Sequence, residues 1–496
     1  MTVEQCDQTF PPPAVWLLER PANGIGPFRP ATLTWLTALA LLALVTGCTG
    51  VPAPGEQQAR QAAAALAGAY RPPGQKPKLT PPSPKSGLAE LLRFAMLNQP
   101  AVEAAYFDWL ASVERITVSR SLPDPRLTFE TDITRIVQTI MPGLMMDFPV
   151  LAKLSARGQA SSAESQSKYF AFELAVLKAA NGLKRAYYQL QFLEEKIRVE
   201  RKALELAADL EEIARRQNEV GKVTAQDVLR AQIEEDRVRN EIANLDDSRK
   251  PLLAAFKAAL GLGKTDPDPS PPLHFEMSPA DIDVDKILAT AFSRNPRIGA
   301  MEADVRRAEA LIRAARRERW PDVSVGLEAD ALAAPTMYRP GFSLTLPIWR
   351  DKIAAQIADA QATKGAAEAR LSAEEIRLAA ELAEKSFMVR QAGRNLTLAR
   401  DVVGPKTRES LEVARSSYLA SKTEFFNLID TWRTVLNVEI EALEAQTERE
   451  LALADLSLLV AGLPPRDAPV LPTTSPTKPD LPKKPKAPKV THGTKR

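Results

Sequence analysis

At 496 residues the chain is longer than one ordinary compact core requires, so two domains or a duplicated unit are expected. Its 65 basic and 62 acidic residues leave a formal charge of +3, without the basic excess that a nucleic-acid partner demands. Two cysteines and two histidines exclude a disulfide framework and starve any histidine-based metal or catalytic centre of ligands.

Residues 1–47 read as an N-terminal extension and a signal peptide. Arg29 precedes an apolar run from Ala31 to Gly47, about 17 residues long, which suits a secretory leader and sits at the short limit for a membrane span. The run ends in Leu44-Val45-Thr46-Gly47-Cys48, which resembles a bacterial lipobox. The expectation is a covalent lipid on Cys48 and no other cofactor. Residues 48–86 then form a Pro-rich linker.

From residue 87 the chain holds two copies of one unit, spanning 87–265 and 282–463. Leu122-Pro123-Asp124 is matched by Trp320-Pro321-Asp322, and Phe148-Pro149-Val150 by Leu346-Pro347-Ile348, each 198 residues on. Val220-Gly221-Lys222 aligns with Ala420-Ser421-Lys422 at an offset of 200, and Leu260-Gly261-Leu262 with Ala461-Gly462-Leu463 at 201. Landmarks kept in order at nearly constant spacing mark an internal repeat. The joint, 266–281, opens with Asp266-Pro267-Asp268-Pro269, which cannot continue a helix.

Each unit opens with a helix; in the second, Ile298, Met301, Val305, Ala308 and Ile312 recur at helical spacing. A stretch of period two follows. Val323, Val325 and Leu327 alternate with Ser324, Gly326 and Glu328, and after a turn at 335–340 Phe342, Leu344, Leu346 and Ile348 alternate with small or polar residues. The first copy does likewise, with Leu127 and Phe129 against Thr128 and Glu130, then Leu144, Met146 and Phe148 against Met145 and Asp147. Such alternation fits a membrane barrel strand between lipid and a wet lumen, or a soluble hairpin on a helix. Proline-free runs then extend from Ala152 to Asn218 and, interrupted by Pro405, from Asp351 to Tyr418. Helices of about 100 Å pack only as coiled-coil-like pairs. Pro251 and Pro405 either kink them or break them locally. Two hairpins leave open sheet edges, which hydrocarbon does not tolerate, so membrane strands require oligomerisation. Residues 464–496 form a basic, Pro- and Lys-rich tail that reads as disordered.

In this order, and doubled, Leu122-Pro123, Trp320-Pro321, Phe148-Pro149, Leu346-Pro347, Asn295-Pro296 and Val220-Gly221-Lys222-Val223-Thr224 resemble the TolC-like outer-membrane factor family. The resemblance implies a mainly α fold with membrane β. Three chains close a twelve-stranded barrel, continued by a helical tunnel across the periplasm. It implies an exit duct of a tripartite efflux pump or type I secretion system, lipid-anchored in the outer membrane, without enzymatic activity. The partners it implies are two further copies of the chain, a periplasmic membrane-fusion adaptor, an inner-membrane transporter of the resistance-nodulation-division or ABC type, and outer-membrane lipid, but no nucleic acid. Adaptors of the family grip the hairpin tips, here Val220, Gly221, Lys222, Ser421 and Lys422. The tip gate maps onto Tyr418, Asn427 and Asp430, where a ring of Asp430 carboxylates would favour cations. Thr423 stands where relatives carry an arginine. Met141 to Met146 before Phe148-Pro149 resembles the heavy-metal-efflux branch, although Met146 belongs to the apolar strand face.

The alternative is a periplasmic coiled-coil scaffold or adaptor lipoprotein without a pore. No P-loop, Gly-x-Ser-x-Gly or dinucleotide fingerprint supports an enzyme.

Overall fold

The computed structural model describes residues 50–70, 82–83, 86–133, 137–271, 277–278, 291–420 and 422–460. The stretch read as a linker contains a helix, α1 (Glu56–Leu66), in an Ala-rich segment of high helix propensity. It lies along the first copy: the Glu56 carboxylate accepts from Arg60, Thr117 and Arg120, and Tyr106 donates to the Ala63 carbonyl at 3.0 Å. Tyr70 joins a cluster of Tyr106, Trp109, Tyr169 and Phe172 that forms the largest buried core.

The first unit opens with α2 (Leu88–Asn98) and α3 (Pro100–Arg120), separated at Gln99 because proline disfavours helical geometry in the residue before it. The second has its counterpart in α6 (Pro296–Arg317), with Asn295 as N-cap and Pro296 at the first helical position. Strands β1 (Arg126–Ile133), β2 (Val137–Phe148), β3 (Asp322–Asp330) and β4 (Met337–Thr345) make one antiparallel sheet in the order β1-β2-β3-β4. The two copies meet within it, Leu144 opposite Leu327 and Phe148 opposite Val323. Strand β4 starts four residues earlier than the alternation suggested, because Met337 to Pro340 pair with Leu327 to Asp330, and it ends at Thr345, before Leu346 and Ile348.

Below the sheet run α4 (Leu151–Glu219) and α5 (Ala225–Ala259) in the first copy, and α7 (Arg350–Thr397), α8 (Gly404–Leu419) and α9 (Phe425–Leu459) in the second. The 69 residues of α4 correspond to about 100 Å of uninterrupted helix. Pro251 is absorbed inside α5 without a break. Pro405 is accommodated differently: Leu398–Val403 form a π-helical segment, with the Gly404 N–H donating five residues back to Ala399. The run thus bulges rather than ends, as helices do where one i→i−4 bond is missing. No described helix is long and apolar enough to cross a membrane.

Candidate functional site

Two regions carry the chemistry, the sheet at one end of the long helices and the hairpin tips at the other. In the sheet, register sorts side chains by face. Leu127, Leu144 and Leu327 stand in one row, Met146, Val325 and Phe342 in the next, and Phe148, Val323 and Leu344 in a third. This apolar face is open to the surroundings, with Phe342 71% exposed. The opposite face carries Arg126, Thr128, Glu130, Met145, Asp147, Ser324, Glu328 and Arg339, and is internally bonded. Ser324 donates to Asp147 at 2.7 Å and Arg126 to the same carboxylate at 2.8 Å. Met145 lies on this polar face, 3.9 Å from the Arg126 guanidinium, whereas Met146 lies on the apolar one, as its place in the alternation requires. Gly143 is needed between its cross-strand partners Thr128 and Glu328: a Cβ there would meet Glu328 Cγ at 2.4 Å and Thr128 Oγ1 at 2.5 Å. Among the described residues of one chain, β1 and β4 each have one neighbour only, and every position of β4 is exposed.

Below the sheet, Lys153 is 2% exposed and donates to Asp322 at 2.9 Å, with Glu318 at 3.4 Å. Asp322 also accepts from the Val150 N–H at 3.2 Å. The Pro-Asp motif of one copy and the Phe-Pro-Val motif of the other are therefore in contact.

At the first tip, α4 ends in a Schellman motif. The Lys222 N–H reaches the Gln217 carbonyl and the Gly221 N–H the Asn218 carbonyl, both at 2.9 Å, with Gly221 at φ 74°. Thr224 and Asp227 then form a capping box that starts α5. Val220 projects outward, 66% exposed. At the second tip the Lys422 N–H makes the equivalent bond to Ser417, at 2.8 Å. Ser421 and Cys48 lie outside the described residues.

The gate residues expected from the sequence differ in burial within one chain. Tyr418 is buried, 3% exposed, against Phe425 and in a core with Ala214, Ala231, Leu428 and Trp432. Its hydroxyl has no hydrogen-bond partner among the described residues. Burial, with the Asp227 charge added, pushes that phenol up to about 12. Asn427 is exposed and donates to Thr423 at 3.2 Å, so the position that carries arginine in relatives makes a neutral local bond here. Asp430 is exposed, and its charge adds to that of Glu234 in holding the Arg433 guanidinium above its ordinary value.

Sequence reading passed over Glu234 and Arg433, which form a two-point ion pair between α5 and α9. The two residues are 199 apart, the offset of the repeat itself. That coincidence was the available signal. Among the described residues no group of three or more His, Cys, Asp or Glu side chains could hold a metal ion.

With this geometry in hand, comparison with known proteins is informative. The family described as outer membrane efflux protein matches the chain twice, over residues 91–262 and 287–462. The cobalt-zinc-cadmium resistance protein CzcC of Cupriavidus metallidurans is 23% identical over 345 residues, which span 66% of this chain and 78% of that protein. A membrane protein from Pseudomonas aeruginosa superposes with a TM-score of 0.68 at 18% identity, covering 78% of this chain and 92% of its own. The outer membrane protein VceC from Vibrio cholerae gives 0.64 at 16% identity, with coverages of 76% and 96%.

Proposed function

We infer, from the premise that the chain belongs to the outer membrane efflux protein family, that three copies join sheet edge to sheet edge to complete its channel. The family function is that of an outer-membrane exit duct in tripartite efflux, a passive conduit and not an enzyme. One observation carries the trimer reading. A four-stranded antiparallel sheet, apolar on one face and polar on the other, is left open at both edges. In hydrocarbon such edges must be paired, and the pairing that satisfies β1 and β4 alike is closure through further copies. Three sheets give twelve strands around a polar bore, and the long helices carry that bore into the periplasm.

The tips are the natural dock for a periplasmic adaptor. Val220, Gly221 and Lys222 present an exposed apolar side chain, a rigid αL glycine and a cation; Ser421 and Lys422 occupy the corresponding place in the second copy. An inner-membrane pump would feed the duct through that adaptor. Cys48 would carry the lipid that anchors the chain in the outer membrane, and Tyr418, Asn427 and Asp430 would line or support the tip gate. A second reading is export of divalent metal cations. It is favoured by the likeness to a protein named for cobalt, zinc and cadmium resistance and by Glu130, Asp147 and Glu328 on the polar strand face. Carboxylates attract such ions without holding them in a closed site.

The test is purification from outer membranes in mild detergent, followed by measurement of mass and of single-channel conductance in a planar bilayer. A conducting trimer is expected. A monomer or dimer without conductance would return the hairpins to the scaffold-lipoprotein reading.

A further inference from the structure

The two copies build the sheet to one plan. Leu127 faces Leu144 in the first hairpin, and their counterparts 198 residues on, Val325 and Phe342, face each other in the second. Asp132 and Thr139 are matched in the same way by Asp330 and Met337. The hairpins therefore share one register to the residue. Between them, β2 and β3 form a seam in which Leu144 faces Leu327, Met145 faces Gly326 and Met146 faces Val325. The paired run stops at Gly143, beside Pro142, yet the Ala331 N–H still reaches the Ile140 carbonyl at 2.9 Å. The same register thus continues toward the end of the sheet away from the helices. The outer edges carry the two halves of another such seam, since β4 is the counterpart of β2 and β1 the counterpart of β3. No turn joins these edges, so a register between them has to be set by side chains.

We propose that β4 of one copy of the chain pairs with β1 of the next in the register of the β2–β3 seam. Carrying that register over by the repeat offset sets Phe342 opposite Phe129 of the next copy, Ser343 opposite its Thr128, Leu344 opposite its Leu127 and Arg339 opposite its Asp132. Three properties of the two edges agree with this pairing. The faces match: Phe342 and Leu344 meet Phe129 and Leu127 on the apolar side, all four exposed in the single chain, while Ser343 meets Thr128 on the polar side. The ends match too, because Thr345, the last residue of β4, falls opposite Arg126, the first of β1. The charges match as well: Arg339 and Asp132 are both exposed and meet on the polar face as a cross-strand pair of opposite sign. A slip of one residue would turn apolar side chains onto the polar face. A slip of two keeps the faces, but it replaces the Phe342–Phe129 pair by Phe342 on Leu127 or Thr131 and leaves the strand ends overhanging. The aromatic pair and the ion pair therefore do between chains what the turn does within a hairpin.

This inference rests on the trimer reading, and cysteine cross-linking of the full-length protein in outer membranes separates the two. Facing residues of an antiparallel pair have Cα atoms about 4.5–5.5 Å apart, within reach of a disulfide, whereas a residue two positions along lies beyond it. Under mild oxidation, Ser343→Cys with Thr128→Cys is expected to give a covalent three-chain band on a non-reducing gel. Its yield should be about tenfold or more above that of Ser343→Cys with Arg126→Cys or with Glu130→Cys, the two slipped pairs. The single variants carry Cys6 and Cys48 as well and are expected to give no such band. Asp132→Arg sets like charges opposite each other and is expected to lower the temperature at which the trimer dissociates in detergent; D132R with R339D is expected to restore it. An unchanged temperature, or a loss that the exchange leaves in place, overturns the Arg339–Asp132 pair. A trimer that cross-links through a slipped pair, or through none of the three, overturns the register and leaves the trimer standing. A monomer in mild detergent overturns both.

Discussion

Lys153 reaches Asp322 at 2.9 Å, and through that pair the strand-to-helix turn of the first copy is fastened to the helix-to-strand turn of the second. The ammonium is buried while Asp322 and Glu318 are each about one third exposed, so the two acids can be rehydrated if the lysine is lost. Lys153→Met keeps most of the volume and removes the charge. It is expected to cost about 1–3 kcal/mol and to lower the melting temperature of the detergent-solubilised protein, followed by circular dichroism at 222 nm. An unchanged melting temperature would show that packing alone joins the copies at this level.

Two glycines with nearly the same backbone conformation should respond differently to alanine. Gly261 has φ 73° and Gly221 φ 74°, so both substitutions carry the left-handed strain of about 1 kcal/mol. At Gly261 a Cβ would also meet the Asn98 carbonyl oxygen at 2.7 Å and Gln99 Cα at 2.9 Å, both backbone atoms. At Gly221 it meets nothing within 4 Å. Gly261→Ala should therefore destabilise the protein by clearly more than Gly221→Ala, measured by thermal unfolding of the two side by side. Gly221→Ala should express its effect at the tip, as weaker pull-down of the cognate adaptor.

Much of this architecture was legible in the chain. The matched Pro-Asp motifs, Phe148-Pro149 and Leu260-Gly261-Leu262 sit at element boundaries, where residue type is dictated locally by proline geometry and αL caps. Asn98 and Asn295 show the same logic: each donates to carbonyls at the C-terminal end of its own copy's returning helix, Leu260 and Gly261 in one case and Leu459 in the other. What escaped was non-local or cooperative. Pairing of β2 with β3 unites residues about 180 positions apart, and no local pattern specifies it. Helix α1 was hidden in a stretch judged by its flanking prolines, although its alanines favour helix. The expected gate was carried over position by position, whereas the ion pair at the tip uses Glu234 and Arg433, whose partnership needs both hairpins folded.

Acid should weaken the second copy through Glu381. Hydrogen bonds from Arg297 hold its carboxyl below the ordinary value of 4.5, even though partial burial opposes this. A folded-state value below the unfolded one means stability that is present above about pH 4.5 and lost as pH falls through the folded value. The pair joins α6 to α7, with Glu374 as the second acid on the same arginine. Melting temperature measured against pH should therefore fall less steeply below pH 4.5 for Glu381→Gln than for the wild type, and the two curves should converge at low pH. Parallel curves would assign the acid transition to other carboxylates.

The π-helical segment should disappear when its cause is removed. Pro405 has no N–H to donate to the Asp401 carbonyl, and the Gly404 N–H goes to Ala399 instead. The ring also crowds the preceding turn, which the longer i→i+5 loop relieves. Pro405→Ala supplies the missing donor and lifts the steric conflict, so a regular α-helix across 398–405 becomes the lower-energy path. Amide hydrogen exchange in this segment should slow by about tenfold or more, consistent with the several-kcal/mol disadvantage of proline inside a helix. Exchange in α4 should be unchanged, since that helix has no such interruption. If the bulge is the hinge of the second hairpin, the same variant should open less often in a bilayer. Slower exchange with unaltered opening would keep the structural account of the bulge and move the hinge elsewhere along α7 to α8.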